Sequence, residues 1–401
     1  MKFNYFFLSN MSSKNNIRLT KDNIIQNFDQ TLLYVSIILL LIGIVMVYSA
    51  SISLPDYPKY EGYKNSHFLF RQIFFVLIGI FLGTLIFKIQ IDKWQKFAPF
   101  LFCLGIIVLS FVFLPIIGKT VNGSTRWITI GSLNFQPSEL LKLLIVFYAA
   151  DFTVRKQQYM HTFTRGFFPM AIALSLVGGL ILSQPDLGTF IVIVCISMGI
   201  LFLGGFNIIW FIGISIVLFN VFCFVIWLSP WRFERLIAYL NPWAIENIFG
   251  TGYQLSHSLI AFGRGEIFGV GLGASVEKLN YLPEAHNDFI LAVIAEELGL
   301  ISIILLIYAF YWIVKRAFEI GRQSLALDNI FAGLVAKGIG IWIGCQVFIN
   351  MGVNMGLLPT KGLTLPLLSY GGSGIVMNCI AVSILIRIDF ENRSLMRGNK
   401  V

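Results

Sequence analysis

Four short segments of this 401-residue sequence set ionisable side chains beside or inside long apolar runs. The first is Asn122-Gly-Ser-Thr-Arg-Trp127, leading to Phe135-Gln-Pro-Ser-Glu-Leu-Leu-Lys142. Pro137 stops any preceding helix and suits the first turn of a new one, with Gln136 or Ser138 near its cap. Glu139 and Lys142 then stand three apart on one helical face, close enough to pair. The pair is either an internal lock between helices or part of the wall of a polar cavity. The second segment, Tyr281-Leu-Pro-Glu-Ala-His-Asn-Asp288, gathers Glu284, His286 and Asp288 at the start of an apolar run that carries Glu296 and Glu297. Asp288 is expected in the first turn of a helix, whose positive end favours the ionised carboxylate. It either caps that helix or does chemistry, and Glu296 is expected two turns on, roughly on the same face. The third segment runs from Asn350 and Asn354 through Leu358-Pro-Thr-Lys-Gly-Leu-Thr-Leu-Pro366 to Ser369-Tyr-Gly-Gly-Ser-Gly374. Broken backbone of this kind survives near membrane depth only beside protein or a water-filled cavity, and Lys361 either faces such a cavity or snorkels to the interface. In the fourth, Gln184-Pro-Asp186-Leu-Gly188, Asp186 reads as the cap of the next helix.

The surrounding composition decides how such residues are read. Hydrophobic residues make up 57% of the chain and charged ones 12%, against about half and about a quarter in soluble domains. A single soluble core is excluded, and with it disorder, collagen and coiled coil. The net charge of +9 has no basic, solvated domain to occupy, which argues against nucleic acid. Cys103, Cys195, Cys223, Cys345 and Cys379 all fall inside apolar runs without a C-x-x-C spacing. They read as packing residues rather than disulfide partners or metal ligands.

A membrane span needs about 20 mostly apolar residues. Such runs fall near 31–50, 68–88, 97–114, 138–154, 166–183, 186–203, 207–228, 287–314, 329–355 and 366–387. The expected fold is an all-α polytopic membrane protein of about ten transmembrane helices, with one long extracytoplasmic loop before the eighth. Apolarity is continuous rather than alternating, which excludes a barrel. The first run is long for a signal-peptide core and others follow it, so it reads as retained. With both termini inside, cytoplasmic segments hold seventeen Lys and Arg and outer segments ten, and that excess sets the orientation. The chain then divides into a cytoplasmic tail at 1–30, seven helices over 31–228, the outer loop at 229–286, three helices over 287–388 and a cytoplasmic tail at 389–401. Within the loop, Trp231, Phe233, Leu236, Ile237, Tyr239 and Leu240 form an amphipathic stretch suited to a helix in the headgroup layer. The glycines at 263, 265, 269, 271 and 273 lack the strand–turn–helix context of a phosphate loop; they fit a mobile flap beside a site or a plainly flexible loop.

In a chain with so few charges, ionisable residues at membrane depth are the informative ones. They describe a polar, ionisable cavity facing outward. Two function classes suit it: a transporter or flippase that binds and releases a polar headgroup, and an enzyme that acts on a lipid-linked substrate with a carboxylate as base.

The Phe-Gln-Pro-Ser-Glu-Leu-x-Lys run ending at Lys142, the Tyr281–Ile290 run with Ala295-Glu-Glu-Leu-Gly299, and the closing Ser369-Tyr-Gly-Gly-Ser373 together resemble the SEDS family (shape, elongation, division and sporulation proteins). The resemblance covers nearly the whole membrane region. Lys278 to His286 and Leu357 to Pro366 look like the division branch rather than the elongation branch. The resemblance implies a peptidoglycan glycosyltransferase in the bacterial cytoplasmic (inner) membrane at the septum. It would polymerise lipid II with a cognate class B penicillin-binding protein, an FtsI-like transpeptidase, and in company with other division proteins. The family's essential aspartate falls on Asp288, its cavity carboxylate and lysine on Glu139 and Lys142, its outer-loop arginine on Arg126 and its late lysine on Lys361. Glu284, His286 and Tyr370, within the same motifs, are expected to join the substrate-binding set. Asp288 is then the base, and some of Arg126, Lys142 and Lys361 stabilise the departing diphosphate. A divalent cation, Mg or Mn, would relax that demand, with Asp288 as its ligand instead. Where the family often has two arginines before the Trp, this chain has Thr125-Arg126, which halves a paired-guanidinium clamp. Asn287 replaces the usual Thr, and Gly374 the second Ser of the closing motif.

Overall fold

A computed structural model describes residues 28–399 except 57–59, 61, 116, 122–123 and 132. The expected N-terminal tail, but for its last three residues, and Asn122 lie outside the described residues.

Asp29 opens the bundle by accepting a hydrogen bond from Leu32 N at 3.1 Å, capping α1 (Gln30–Ser51). Next come α2 (His67–Phe87) and α3 (Ile91–Ser110). No element is assigned from sequence to the following segment, between the third and fourth apolar runs. It forms a three-stranded antiparallel sheet, β1 (Gly118–Val121), β2 (Ser124–Ile130) and β3 (Leu133–Phe135), paired in sequence order. Two of its strands have only three or four residues, and the seven of Ser124–Ile130 do not alternate cleanly between polar and apolar, so the sequence shows no clear period. Pro137 then begins α4 (Pro137–Arg155), with Gln136 as the N-cap residue. Helices α5 (Phe168–Ser183), α6 (Leu187–Leu203) and α7 (Ile208–Trp227) follow. The amphipathic stretch is helical, α8 (Pro230–Leu240), and a further helix, α9 (Tyr253–Gly265), precedes the last three: α10 (Ile290–Ala326), α11 (Ile330–Asn354) and α12 (Gly372–Met396).

Among the described residues eight helical segments are long and apolar enough to cross a membrane, α5 only together with the π-helical turn before it (Phe163–Ser183). The two other runs read as spans are α6, which is apolar but only 17 residues long, and α4, which carries Glu139, Lys142, Asp151 and Arg155. Burial explains the second case. Nearly all of α4 is covered by neighbouring helices, so protein rather than lipid surrounds its charges, as the cost of an ion in hydrocarbon requires. At the other extreme, no residue of α7 is buried. Helix α12 packs along α2, with Gly79 against Cys379 and Gly83 against Ser383; small residues allow that close approach.

Two boundaries differ from expectation in ways that matter for chemistry. Helix α10 begins at Ile290 and reaches Ala326 across a kink at Gly299, where φ is 74°, rather than running from 287 to 314. Asp288 therefore lies in the turn before the helix rather than in its first turn. Helix α12 begins at Gly372 instead of 366, so the whole 355–371 connection is irregular backbone.

Candidate active site

At one end of the bundle the starts of α2, α4, α10 and α12 surround a cavity of about 730 Å³. Strand β2 and helix α8 also contribute to its lining. Asp288, Glu284, His286, Glu139, Arg126 and Tyr370 all line it, so six of the eight residues singled out in the sequence share one space.

The turn bearing Asp288 is held through its backbone. The Asp288 carbonyl accepts from Asn350 Nδ2 at 2.9 Å and from Asn354 Nδ2 at 3.0 Å, both on α11. Asn350 Nδ2 also donates to Leu363 O at 2.5 Å, joining this turn to the 355–371 connection. A second tie is the Tyr370 amide donating to His286 O at 3.0 Å. Opposite the Asp288 carboxylate stands Gly362, where an added Cβ would lie 2.7 Å from Oδ2. Burial, and then the nearby Glu284 carboxylate, push the Asp288 carboxyl up to about 7, with Arg126 opposing and Asp186 adding a smaller upward push. Without a place in the helical first turn, Asp288 is spared the stabilised anion expected there. It is a carboxyl near neutrality, as a general base at neutral pH should be.

Glu139 and Lys142 answer both readings of their spacing. They form a buried pair at 2.8 Å, yet only Glu139 lines the cavity. Lys142 has no exposed surface; its Nζ donates to Gln346 Oε1 at 2.8 Å and lies 5.4 Å from the Trp342 ring. It therefore holds Glu139 from behind and does not itself reach the cavity wall. Glu139 Oε2 has no hydrogen-bond partner among the described residues and is left to accept from whatever enters.

Arg126 is tied to the turn before α6. Its Nε donates to Gln184 O at 3.1 Å, its Nη2 to Pro185 O at 2.6 Å, and its Nη1 lies 3.8 Å from Asp186 Oδ1. Asp186 also caps α6 through Thr189 N at 3.3 Å and Thr189 Oγ1 at 2.8 Å, as its position suggested. Lys361 stands just beyond the lining, 5.9 Å from the Trp231 ring. Burial first, then Arg235, Arg232 and Arg126, hold its ammonium down to about 8, with Asp186 opposing. His286 is buried between Phe68 at 5.1 Å and Tyr370 at 5.5 Å, ring centre to ring centre.

Glu296 does not share a face with Asp288, because the helix that would have aligned them starts after Asp288. It is wholly buried and receives Ser275 Oγ, Val276 N at 2.9 Å and Glu277 N at 3.3 Å. Glu297 beside it receives Lys278 Nζ at 2.7 Å and Ser49 Oγ at 2.7 Å. The pair thus fastens the 275–278 segment that leads into the Asp288 turn.

The sequence reading passed over Arg71 on α2, and Trp231 and Arg235 on α8, as cavity residues. Trp231 and Arg235 are four apart on a helix, a spacing that puts them on one face and was legible once α8 was recognised. Among the described residues no three His, Cys, Asp or Glu side chains gather to hold a metal ion.

The FtsW, RodA and SpoVE family of cell cycle proteins matches residues 29–394. The chain is 57% identical over 387 residues to a probable peptidoglycan glycosyltransferase FtsW of Burkholderia thailandensis, spanning 96% of this chain and 84% of that one. To the corresponding protein of Coxiella burnetii it is 41% identical over 374 residues, 93% and 99% of the two chains. Among solved structures, a chain from a study of how a peptidoglycan synthase complex coordinates polymerization and crosslinking is similar with a TM-score of 0.73. That match has 24% identity over 91% of this chain and 98% of that one. The rod shape determining protein RodA of Thermus thermophilus matches at a TM-score of 0.65 and 22% identity, over 92% and 97%. The two structures speak for the helical fold alone. With the family match running from α1 to the end of α12 and relatives more than half identical, the chain belongs to the FtsW, RodA and SpoVE family of cell cycle proteins.

Proposed function

We propose that this integral membrane protein is a peptidoglycan glycosyltransferase of cell division, polymerising lipid II into β-1,4 glycan strands on the outer face of the inner membrane. The acceptor N-acetylglucosamine 4-hydroxyl attacks C1 of the donor N-acetylmuramic acid. Its proton goes to the Asp288 carboxylate, the bond from C1 to the diphosphate oxygen breaks, and the polyprenyl diphosphate leaves with the electron pair. One in-line displacement inverts the α-linkage to β. The observation that carries this reading is a cavity carboxyl raised to about 7 by burial and Glu284, in a space that also holds Arg126. A positioned base is worth about 10²–10⁴ in rate, and each well-aimed group stabilising developing charge adds about 10²–10³. Glu139, held by Lys142, offers an acceptor for a sugar hydroxyl or amide. Glu284, His286 and Tyr370 complete the wall. Were a Mg or Mn ion to accompany the diphosphate, Glu284 and Asp288 are the carboxylates that would meet it.

The proposed partner is a class B penicillin-binding protein that crosslinks the strands. The structural likeness to a synthase complex described as coordinating polymerization and crosslinking supports that pairing. The test is polymerisation of labelled lipid II by the purified protein with this partner in vesicles, resolving strands by gel. Strands of many disaccharides are expected. Lipid II that crosses the bilayer without being joined would instead make the protein a flippase.

A further inference from the structure

We infer that Arg235, on the amphipathic helix α8, is a binding residue for the substrate diphosphate and completes a cation set with Lys361 and Arg126. The inference rests on the polymerase reading and names where its leaving group is held.

Helix α8 carries Trp231 and Arg235 on the face that lines the cavity. Three cations gather about the Trp231 ring: Arg232 at 4.9 Å, Arg235 at 5.4 Å and Lys361 at 5.9 Å. They are not equivalent. Arg232 Nη1 donates to Ser229 Oγ at 3.3 Å and reaches Val225 O at 3.5 Å, so it finishes the end of α7. Arg126 across the cavity is committed to the Gln184–Asp186 turn. Arg235 and Lys361 form no ion pair with a carboxylate among the described residues.

Partly buried cations near one another raise the energy of the site. Burial and then Arg126 lower Arg235, while burial and then Arg235 lower Lys361. Such an arrangement is relieved by a polyvalent anion. A guanidinium offers paired N–H donors matched to phosphate oxygens, and an ammonium adds a compact charge. A diphosphate fits this set better than a single phosphate, because its larger negative charge offsets more than one of these cations.

Location ties the anion to the reaction. Gly362, which abuts the Asp288 carboxylate, directly follows Lys361. A diphosphate held by Lys361 and Arg235 therefore leaves its sugar C1 beside the base. The exposed Phe233, Ile237 and Leu240 of the same helix suit the headgroup layer, where a polyprenyl chain would run away from the cavity. An anionic phospholipid headgroup is the competing source of phosphate.

The experiment uses the full-length protein in nanodiscs with its transpeptidase partner. Binding of undecaprenyl diphosphate, undecaprenyl monophosphate and phosphatidylglycerol is measured for wild type, Arg235→Gln and Arg235→Lys, alongside lipid II polymerisation. Arg235→Gln should weaken undecaprenyl diphosphate binding tenfold or more, shift the monophosphate less and leave phosphatidylglycerol unchanged; Arg235→Lys should fall between. Equal diphosphate binding by all three, with folding confirmed by an unchanged unfolding midpoint, overturns the inference. An equal loss for phosphatidylglycerol overturns it too and makes Arg235 an interfacial anchor. If Arg235→Gln loses the diphosphate while wild type makes no polymer, the site stands and the polymerase reading falls.

Discussion

Asp288 shows how far a residue can be read from type and spacing. Its motif marked it, and Glu284 four residues before it was legible as a neighbour that would raise it; what the sequence hid is that the helix starts only at Ile290, leaving burial and then Glu284 as the strongest influences. A base must be ionised, so activity should rise with pH through about 7. Replacing Glu284 by Gln removes an upward push and should move that acid limb to lower pH; an unmoved limb in the pH–rate profile would exclude Asp288 as the titrating group. Stability runs the other way. A carboxyl raised from about 3.9 in the unfolded chain stabilises the fold only while protonated, and that contribution disappears as pH rises through about 7. Asp288→Asn should therefore gain in melting temperature relative to wild type at pH 8 compared with pH 5. Gly362→Ala tests the geometry separately: a Cβ 2.7 Å from Oδ2 must displace the carboxylate. Displacements of about 1 Å cost up to about 10²-fold in rate, so kcat should fall more than KM rises.

At the scale of elements, the apolar runs and Pro137 announced the helices because a span has one strong compositional signature. The sheet at 118–135 escaped because two of its strands have only three or four residues and the third, Ser124–Ile130, does not alternate cleanly between polar and apolar. Lys142 was legible as the partner of Glu139, but only the fold shows it facing Gln346 and Trp342. The same holds for Glu296 and Glu297, whose adjacency in sequence concealed two separate anchors for one segment. Removing one member of a buried ion pair typically costs about 3–5 kcal/mol, whereas replacing both with apolar residues is often close to neutral. Lys278→Met should accordingly lower the unfolding midpoint markedly, and Lys278→Met with Glu297→Leu should recover much of it. Strictly additive losses in that double-mutant cycle would mean that the two side chains do not act as a pair.

Taken whole, the molecule sorts its charge by depth and by end. The cavity occupies one end, and Arg316, Asp29, Asp389 and Arg393 form a linked cluster away from it. The Lys and Arg asymmetry that orients such a chain was visible in sequence because the positive-inside rule acts on loops, whatever the helices pack against. The partner surface was not, since lipid-facing and protein-facing apolar residues look alike; α7, with nothing buried, illustrates the ambiguity. On the proposed topology, which puts both termini in the cytoplasm, green fluorescent protein fused after Val401 should fluoresce in cells and alkaline phosphatase at the same point should be inactive. The reverse pattern would turn the cavity toward the cytoplasm and contradict polymerisation on the outer face.

The most direct test of the whole account compares wild type with Asp288→Asn in complex with the class B partner, measuring polymer from labelled lipid II and lipid II binding in parallel. Asparagine keeps the size of the side chain and much of its hydrogen bonding but cannot take the proton. The account predicts binding within a few-fold of wild type and at least about a 10²-fold loss of polymerisation, the low end of what a positioned base supplies. A variant that makes strands at the wild-type rate would show that Asp288 is structural and that the proton goes elsewhere.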